Sequence, residues 1–306
     1  MRRRRSRSLS TLAILLAILL LAASSVELQN HWADQPGHVT LLAAGPLAAP
    51  LPAAPPAAPP APAANLDMLA GQVTRDADRN GADITFSILD RHTGRVVSGG
   101  DRAAFPIASV TKLFIADDLL ERTSAKGETL SPEDQRGLEL MLRSSADVPA
   151  SDFWVRGGGN AIVDRVVSRY GLPSTTAPYN GDWWNTMSTT TDLVRYYDML
   201  LDGTGGLPPG QADVIISNLA ASTPLGIDGY PQRFGIPDAL FAEPVAVKQG
   251  WMCCWNGPNQ LHMSTGVVGS DRRYVMAFGS MQPVDEAAAR DALTQAVKTM
   301  FPGGRT

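Results

Sequence analysis

The sequence predicts an α+β domain in which an antiparallel sheet is flanked by N- and C-terminal helices and joined to a helical lobe. Strand-like runs of branched residues occur near both ends of the domain, at 83–98 and 244–280, and helical patterns fill the middle. A single sheet closed by segments from both ends accounts for this order. The predicted domain covers residues 65–303 of the 306.

Two segments precede the predicted domain. Residues 1–25 combine the arginine run Arg2–Arg5 with the apolar stretch Leu12–Ala23, which predicts a secretory signal peptide or an N-terminal anchor. The apolar stretch is shorter than the roughly 20 residues of a membrane-spanning helix. Residues 26–64 include an alanine- and proline-rich run and predict a disordered linker. We therefore expect an exported protein of the cell envelope, periplasm or extracellular space, membrane-tethered only through this N-terminal segment.

Six helices are predicted from apolar periodicity and from the residues at their ends. Pro132 in a first turn marks one helix start, Thr190-Thr191-Asp192 caps another, and Gly171 ends a third. The predicted helices are Leu66–Arg79, Ser109–Glu121, Leu130–Arg143, Asn160–Tyr170, Thr190–Leu201 and Val284–Met300.

Five strands are predicted from the alternation of apolar and polar residues and from their branched side chains. Thr93-Gly94 supplies the first hairpin turn, and Gly269-Ser270-Asp271 supplies the last. The predicted strands are Asp83–Asp90, Arg95–Ser98, Pro244–Trp251, Leu261–Gly269 and Arg273–Ser280.

Net charge and cysteine content exclude some classes of function. A net charge of −4 argues against nucleic acid as a partner, since that role needs a basic face. Cys253 and Cys254, the two cysteines, are adjacent and cannot join distant segments. We expect two buried thiols there, with a vicinal disulfide as the alternative. The four histidines are scattered, so the sequence predicts no metal site and no cofactor.

Ser109 and Lys112 are the first candidate catalytic residues. They lie three positions apart on a predicted apolar helix, and therefore on one face of it. A lysine held in a partly dry site can lose its proton and accept the serine hydroxyl proton, which makes the serine a nucleophile. A helix that begins at the serine would also point free backbone N–H groups at developing negative charge.

Together with two later motifs, this layout resembles the class A β-lactamases among the penicillin-recognising serine enzymes. That family carries Ser-x-x-Lys, Ser-Asp-Asn and Lys-Thr-Gly or Lys-Ser-Gly, in this order, around one cleft. The resemblance covers roughly Leu66–Met300, and the second and third motifs are only partly kept. The corresponding segments here are Ser109-Val110-Thr111-Lys112, Ser145-Ala146-Asp147 and Lys248-Gln249-Gly250.

The resemblance implies a role for each motif residue. Ser109 would be acylated, with Lys112 positioning or accepting its proton. Ser145 would pass a proton to the leaving nitrogen, and Lys248 would hold a substrate carboxylate and assist that transfer. The backbone N–H groups of Ser109 and Trp251 would form the oxyanion hole. The residues implied for substrate binding are Asp147, Gln249, Gly250 and Trp251.

The sequence departs from the family at the residue that releases the acyl group. In class A β-lactamases a glutamate in a Glu-x-x-Leu-Asn loop activates water, whereas the segment Ala177–Met187 here contains no glutamate. Asp182, three residues before Asn185, is the candidate substitute, with a side chain one methylene shorter. In the second motif Asp147 stands where the family has an amide, and in the third motif Gln249 stands where the family has a hydroxyl. The resemblance therefore implies an acylating enzyme that hydrolyses β-lactams inefficiently.

The predicted function is that of an exported serine hydrolase or acyl-transferase, acylated at Ser109 by a β-lactam or a D-Ala-D-Ala-type cell-wall peptide. Two alternatives stay open: a D,D-peptidase-type penicillin-binding protein with slow deacylation, and a non-catalytic envelope binding protein on the same fold. His262 is expected to be structural, and the sequence contains no signal for oligomerisation. Four tryptophans either line the cleft or pack in the core, namely Trp183, Trp184, Trp251 and Trp255.

Overall fold

The computed structural model of the protein describes residues 64–306, with side chains from residue 65 onward. The predicted signal peptide or anchor at 1–25 and the predicted linker at 26–64 lie outside the described residues, apart from Ala64 in the first helix. None of the helices in the described range has the length and apolar composition that crossing a membrane requires.

The strands of the described residues range from two to nine residues in length. They are β1 (Asp83–Asp90), β2 (Arg95–Gly99), β3 (Phe105–Pro106), β4 (Met187–Ser188), β5 (Val245–Cys253), β6 (Gln260–Val268) and β7 (Tyr274–Gln282). Five of them form an antiparallel sheet in the order β2-β1-β7-β6-β5, and β3 pairs with β4. Because β1 pairs with β7, both ends of the domain close the sheet, as predicted.

The helices divide between the two faces of this sheet. They are α1 (Ala64–Arg79), α2 (Lys112–Ala125), α3 (Pro132–Arg143), α4 (Asp147–Gly157), α5 (Ala161–Tyr170), α6 (Thr190–Asp202), α7 (Pro209–Ala220), α8 (Ile236–Ala239) and α9 (Glu286–Met300). The terminal helices α1 and α9 pack together against one face, and α2–α7 form a lobe on the other. The predicted α+β architecture is confirmed.

Alternation along the strands builds a separate core on each face. Phe86 of β1 and Phe278 of β7 are paired across the sheet, and their rings stack with centroids 5.3 Å apart. They belong to the cluster that contains Leu293 of α9. Met263 of β6 belongs to the other cluster, with Leu113 of α2. The sheet therefore holds the helical lobe, and the nucleophile candidate with it, in a fixed position.

The segments that form α4 and α7 were not predicted to be helical. Both begin with proline in the first turn, Pro149 in α4 and Pro209 in α7. A first-turn proline loses no helical hydrogen bond, because that N–H has no partner within the helix. Proline is also a common loop residue, so the local sequence did not distinguish a helix start from a turn.

Cys253 and Cys254 form a disulfide bond with each other. The expectation of two buried thiols was wrong. β5 ends at Cys253, both side chains are exposed, and Cys254 has a positive φ of 72° at the turn that follows. The two adjacent cysteines therefore lie outside the hydrophobic core.

Asp117 is a buried carboxylate that ties α2 to α5 and α6. It accepts hydrogen bonds from the Arg169 guanidinium and from the hydroxyls of Tyr170 and Tyr196. Burial raises the pKa of Asp117, and these donors offset that effect. The helix that follows the nucleophile candidate is thus anchored by a charged group with three donors.

We expect Asp117→Ala to lower the free energy of unfolding by about 3 kcal/mol, because the substitution leaves Arg169 without its buried partner. The matched control is Asp213→Ala, which removes an exposed ion pair with Arg272 at 3.0 Å and should cost below about 1 kcal/mol. Urea denaturation of both variants measures the difference. Equal losses would show that the Asp117 cluster does not anchor α2.

His262 is buried in β6, where its Nε2 atom lies 2.7 Å from the Tyr230 hydroxyl. The Arg290 guanidinium donates to the same hydroxyl at 2.7 Å. Burial, and secondarily the charge of Arg290, lower the pKa of His262 to about 4. The neutral imidazole is therefore the form that the fold accommodates, as expected for a structural histidine.

This pKa makes stability depend on pH. His262 binds a proton with a pKa of 6.5 in the unfolded chain but about 4 in the folded one. The unfolded state therefore binds more protons between these values, and stability falls as pH decreases through that window, by up to about 3 kcal/mol. Urea titrations at pH 7 and pH 4 should show a smaller decrease for His262→Gln than for the wild type. Parallel decreases would refute the assignment.

Candidate active site

Ser109 lies in a tight 3₁₀ turn, Ala108–Thr111. The prediction that an α-helix begins at Ser109 was therefore wrong. Ala108 has a φ of 46°, in the left-handed region that residues with a side chain seldom adopt. The preceding residue, Ile107, donates its N–H to the Thr186 carbonyl at 3.0 Å. This turn places Ser109 on the wall of a cleft and makes Lys112 the first residue of α2.

Lys112 is fully buried and is the centre of the site. Its Nζ atom lies 2.8 Å from Ser109 Oγ, 2.6 Å from Asp147 Oδ1, and 2.7 Å from the Ser145 carbonyl oxygen. The Trp183 ring covers it at 4.7 Å. Burial lowers the pKa of Lys112, and the negative charge of Asp147 opposes that shift. The neutral amine that can accept a proton from Ser109 is therefore more accessible than in water.

Ser145 lies between two lysines. Its Oγ atom is 2.8 Å from Lys248 Nζ and 3.2 Å from Lys112 Nζ. The residue has a φ of 58°, so its backbone is in the left-handed region, and it occupies the short turn between α3 and α4. The strained turn presents both the hydroxyl and the carbonyl oxygen of Ser145 to Lys112.

Lys248 of β5 is also buried, and its donors are occupied by Ser145 Oγ and by the carbonyl oxygen of Gln249 at 3.0 Å. Burial and the nearby charge of Lys112 lower the pKa of Lys248 well below its usual value. Two ammonium groups that share one hydroxyl in a dry site repel each other. The arrangement therefore favours the loss of a proton from this pair.

A cleft of about 460 Å³ opens beside Ser109, large enough for a drug-sized ligand. Of the predicted site residues, those on its wall are Ser109, Ser145, Asp147 and Trp251. The other lining residues are Ala108, Leu140, Ala146, Val148, Pro149, Trp183, Trp184, Ile227, Asp228 and Met252. The structure thus brings together three motifs that are far apart in the sequence.

Gln249 does not line the cleft, in contrast to the prediction that it binds substrate. Its Nε2 atom donates to the carbonyl oxygens of Gln232 at 2.9 Å and Phe234 at 2.6 Å, and the side chain is buried. The segment that precedes α8 therefore holds the amide that the motif would present to a ligand. Gln249 is a structural residue here.

Gly250 is required for a different reason from the one predicted. A Cβ atom at this position would lie 2.8 Å from the carbonyl oxygen of Ile107 and 3.3 Å from a methyl group of Val110. The close approach that glycine allows is that of the nucleophile turn to β5, rather than that of a ligand. The contact fixes Ser109 relative to the sheet edge.

Asp182 lies outside the cleft lining, so the structure does not place it as a deacylating base. Its carboxylate accepts a hydrogen bond from Asn180 Nδ2 at 2.7 Å within a local turn. The next residue, Trp183, points into the site instead and packs on Lys112. From this loop, therefore, an indole rather than the Asp182 carboxylate contacts Lys112.

Two contacts at the site were not predicted. Asp147 was assigned to substrate, whereas its Oδ1 atom is bound to Lys112. Asp228 was not singled out, because its loop has no motif and reaches the cleft only through long-range contacts. Of the four tryptophans, Trp255 lines a separate, smaller cavity with Phe105 and the others line the cleft.

Comparison with known proteins identifies the family. No protein-family model matches the chain. Proteins of Mycobacterium bovis and Mycobacterium tuberculosis named "Putative lipoprotein LppW" are 59% identical to it over 234 residues, which is 76% of this chain and 74% of theirs. The chain belongs to the LppW family.

Solved structures extend the comparison to more distant proteins. PBP-A superposes with a TM-score of 0.64 at 17% identity and covers 80% of this chain and 97% of its own. The TLA-3 extended-spectrum β-lactamase superposes with a TM-score of 0.63 at 12% identity, and the match covers 77% of this chain and 98% of that protein. A β-lactamase of Chitinophaga pinensis superposes with a TM-score of 0.60 at 15% identity, and the match covers 78% of this chain and 98% of that protein. This LppW-family chain therefore has the fold of class A β-lactamases and penicillin-binding serine enzymes, and the predicted resemblance is confirmed at that level.

The lowered pKa of Lys112 predicts how Ser109 reactivity depends on pH. The rate of Ser109 acylation by p-nitrophenyl butyrate should rise with pH and level off with a midpoint below 10.5, the usual value for lysine. Asp147→Asn should move the midpoint to lower pH, because the carboxylate raises the pKa of Lys112. Intact-mass spectrometry follows the adduct, with Asp213→Asn as control. A midpoint that Asp147→Asn leaves unchanged would contradict the coupling.

Proposed function

We propose that the chain is an exported serine hydrolase or acyl-transferase in which Ser109 takes up an acyl group, with β-lactams and D-Ala-D-Ala-type cell-wall peptides as the donors that its fold neighbours suggest. One observation carries the proposal. Lys112 Nζ lies within hydrogen-bond distance of both hydroxyls, 2.8 Å from Ser109 Oγ and 3.2 Å from Ser145 Oγ. A proton can therefore travel from nucleophile to leaving group through one amine.

In the acylation step, Ser109 Oγ forms a bond to the carbonyl carbon while neutral Lys112 takes the hydroxyl proton. The bond from that carbon to the leaving nitrogen or oxygen then breaks, and the leaving atom takes the proton of Ser145 Oγ. Lys112 returns a proton to Ser145, which restores the neutral amine. The net result is an ester at Ser109 and a leaving group that carries the serine proton.

Lys248 acts through Ser145 rather than on the reacting carbonyl. Its Nζ atom donates to Ser145 Oγ at 2.8 Å, which orients the hydroxyl and lowers the cost of proton transfer from it. The oxyanion that forms during attack would be held by the backbone N–H groups of Ser109 and Trp251, two residues that line the cleft. Loss of one such donor typically costs about 3 kcal/mol in the transition state.

Release of the acyl group should be slow. Among the described residues, the carboxylates on the cleft wall are those of Asp147 and Asp228. One is bound to Lys112, and Asp182 is held in its own turn. A base positioned poorly by even ~1 Å can lose ~100-fold in rate. These contacts favour the penicillin-binding alternative, a long-lived acyl-enzyme, over efficient β-lactam hydrolysis.

Location in the cell envelope is part of the same proposal. The predicted leader at 1–25 supports export, and the mycobacterial relatives are named as lipoproteins. In this chain Cys253 and Cys254 are bonded to each other at the end of β5. We therefore assign envelope tethering to the N-terminal segment rather than to either cysteine.

Incubation with benzylpenicillin should add one penicillin mass to the purified protein. The adduct should persist for minutes or longer, because Asp182 lies outside the cleft lining and Asp147 is bound to Lys112. Intact-mass spectrometry over several hours measures both the gain and its decay. Ser109→Ala should abolish the adduct, whereas Ser217→Ala, an exposed serine of α7, should leave it unchanged.

An adduct that survives in Ser109→Ala would refute the nucleophile. Rapid recovery of unmodified protein would show that a deacylating group is in place. If several β-lactams and simple esters all fail to modify Ser109, the chain is a binding protein on this fold.

A further inference from the structure

The charge on the cleft wall is negative. Among the described residues that line the cleft, the ionisable side chains with a formal charge are Asp147 and Asp228, and no arginine, lysine or histidine lines it. The Asp147 side chain is 74% exposed although one of its oxygens contacts Lys112. A ligand in the cleft therefore meets two carboxylates and no exposed cation.

Asp228 is held at this position by its own loop. The Ile227 N–H donates to the carbonyl oxygen of Ser144 at 2.8 Å, which ties the loop to the Ser145 turn. The Tyr230 N–H donates to Asp228 Oδ1 at 3.0 Å, and the Tyr230 ring stacks on Trp251 at 4.7 Å. Burial lowers the pKa values of Lys112 and Lys248, and the negative charge of Asp228 opposes that lowering in both. The charge of Asp228 therefore acts on the reacting groups.

The basic side chains beside this cleft are buried and already contact protein groups. Lys248 Nζ donates to Ser145 and to its neighbour's carbonyl, and Lys112 Nζ is surrounded by four oxygen contacts. The Gln249 amide is bonded to two backbone carbonyls outside the cleft. A substrate carboxylate would therefore lose hydration in the cleft without gaining an exposed cationic partner in return.

The mouth of the cleft is apolar. Four of its lining residues are large apolar side chains that solvent reaches, namely Leu140 (46% exposed), Val148 (83%), Trp184 (38%) and Ile227 (63%). They come from α3, α4, the turn before β4 and the Asp228 loop. Apolar residues that stay exposed around a pocket mark a surface that an apolar ligand covers.

We infer that the cleft takes a neutral acyl donor with an apolar chain, such as a hydrophobic ester, in preference to a donor that carries a carboxylate. The inference rests on the proposed function, because it names the substrate class of the Ser109 site. Asp147 is paired with Lys112, whereas Asp228 has no ion-pair partner among the described residues and repels an anionic donor. The apolar mouth binds the chain of a neutral one. The acyl group passes to Ser109 Oγ and the alcohol leaves with the serine proton.

The charge preference can be tested with benzylpenicillin and its methyl ester, which differ by one masked carboxylate. Intact mass gives the second-order rate of Ser109 acylation for each, in the full-length protein. The neutral ester should react at least about fivefold faster, because the carboxylate meets like charge. Asp228→Asn, which keeps the acceptor for Tyr230 N–H, should reduce this ratio. Asp291→Asn, an exposed acid on α9, should not change it.

The ratio within one variant cancels any general change in Ser109 reactivity. Benzylpenicillin that reacts as fast as its methyl ester, or a ratio that Asp228→Asn leaves unchanged, would overturn the inference while the acyl-enzyme proposal stands. Failure of every donor to modify Ser109 would overturn both.

The apolar preference has a separate test. p-Nitrophenyl octanoate should acylate Ser109 about tenfold faster than the acetate, since the longer chain can cover the mouth. Ile227→Ser should reduce that ratio. Val155→Ser should leave it unchanged, because Val155 is an exposed apolar residue of α4 outside the cleft lining. Equal rates for the two esters in the wild type would exclude a chain-binding mouth.

Discussion

Burial of the Lys112 amine is the constraint on which the site depends. An amine taken out of water is costly unless its donors are matched by acceptors, and here the acceptors come from three separate segments. Ser109 belongs to the 3₁₀ turn, Ser145 to the turn after α3, and Asp147 to the first turn of α4. The Lys112 amine contacts all three segments, so one side chain helps to fix both the lobe and Ser109.

The sheet edge supplies the second fixed surface. β5 is the outermost strand next to the lobe, and Gly250 lets the Ile107 carbonyl pack against it. The same strand carries Lys248, which reaches Ser145 across the interface. The nucleophile turn, the Ser145 turn and the strand are therefore held by contacts that each involve two of the three. Such mutual support keeps a site with two left-handed residues, Ala108 and Ser145, in one conformation.

Much of the fold was predictable because its signals are local. Alternating branched residues predicted the five strands of the sheet, and capping residues predicted most helices. The helix α4 was not predicted, because Pro149 is a residue type common in loops. For the site, spacing brought Ser109 and Lys112 together, and motif order brought Ser145 and Lys248 to them; their chemical roles stay predictions. The contacts of Gln249, Gly250 and Asp147 were not predictable, because they depend on which distant backbone or amine packs against each residue.

The hydrogen bonds of Gln249 also limit how this cleft can evolve. A hydroxyl residue at this position, as in the β-lactamases that the sequence resembles, would be too short to reach the carbonyls of Gln232 and Phe234. Each buried acceptor that loses its donor costs about 1–3 kcal/mol, a large part of a typical domain's stability. A lineage that begins from this chain would lose stability before it gained a new donor in the cleft. A hydroxyl at position 249 therefore needs at least one compensating change that supplies these two carbonyls with new donors.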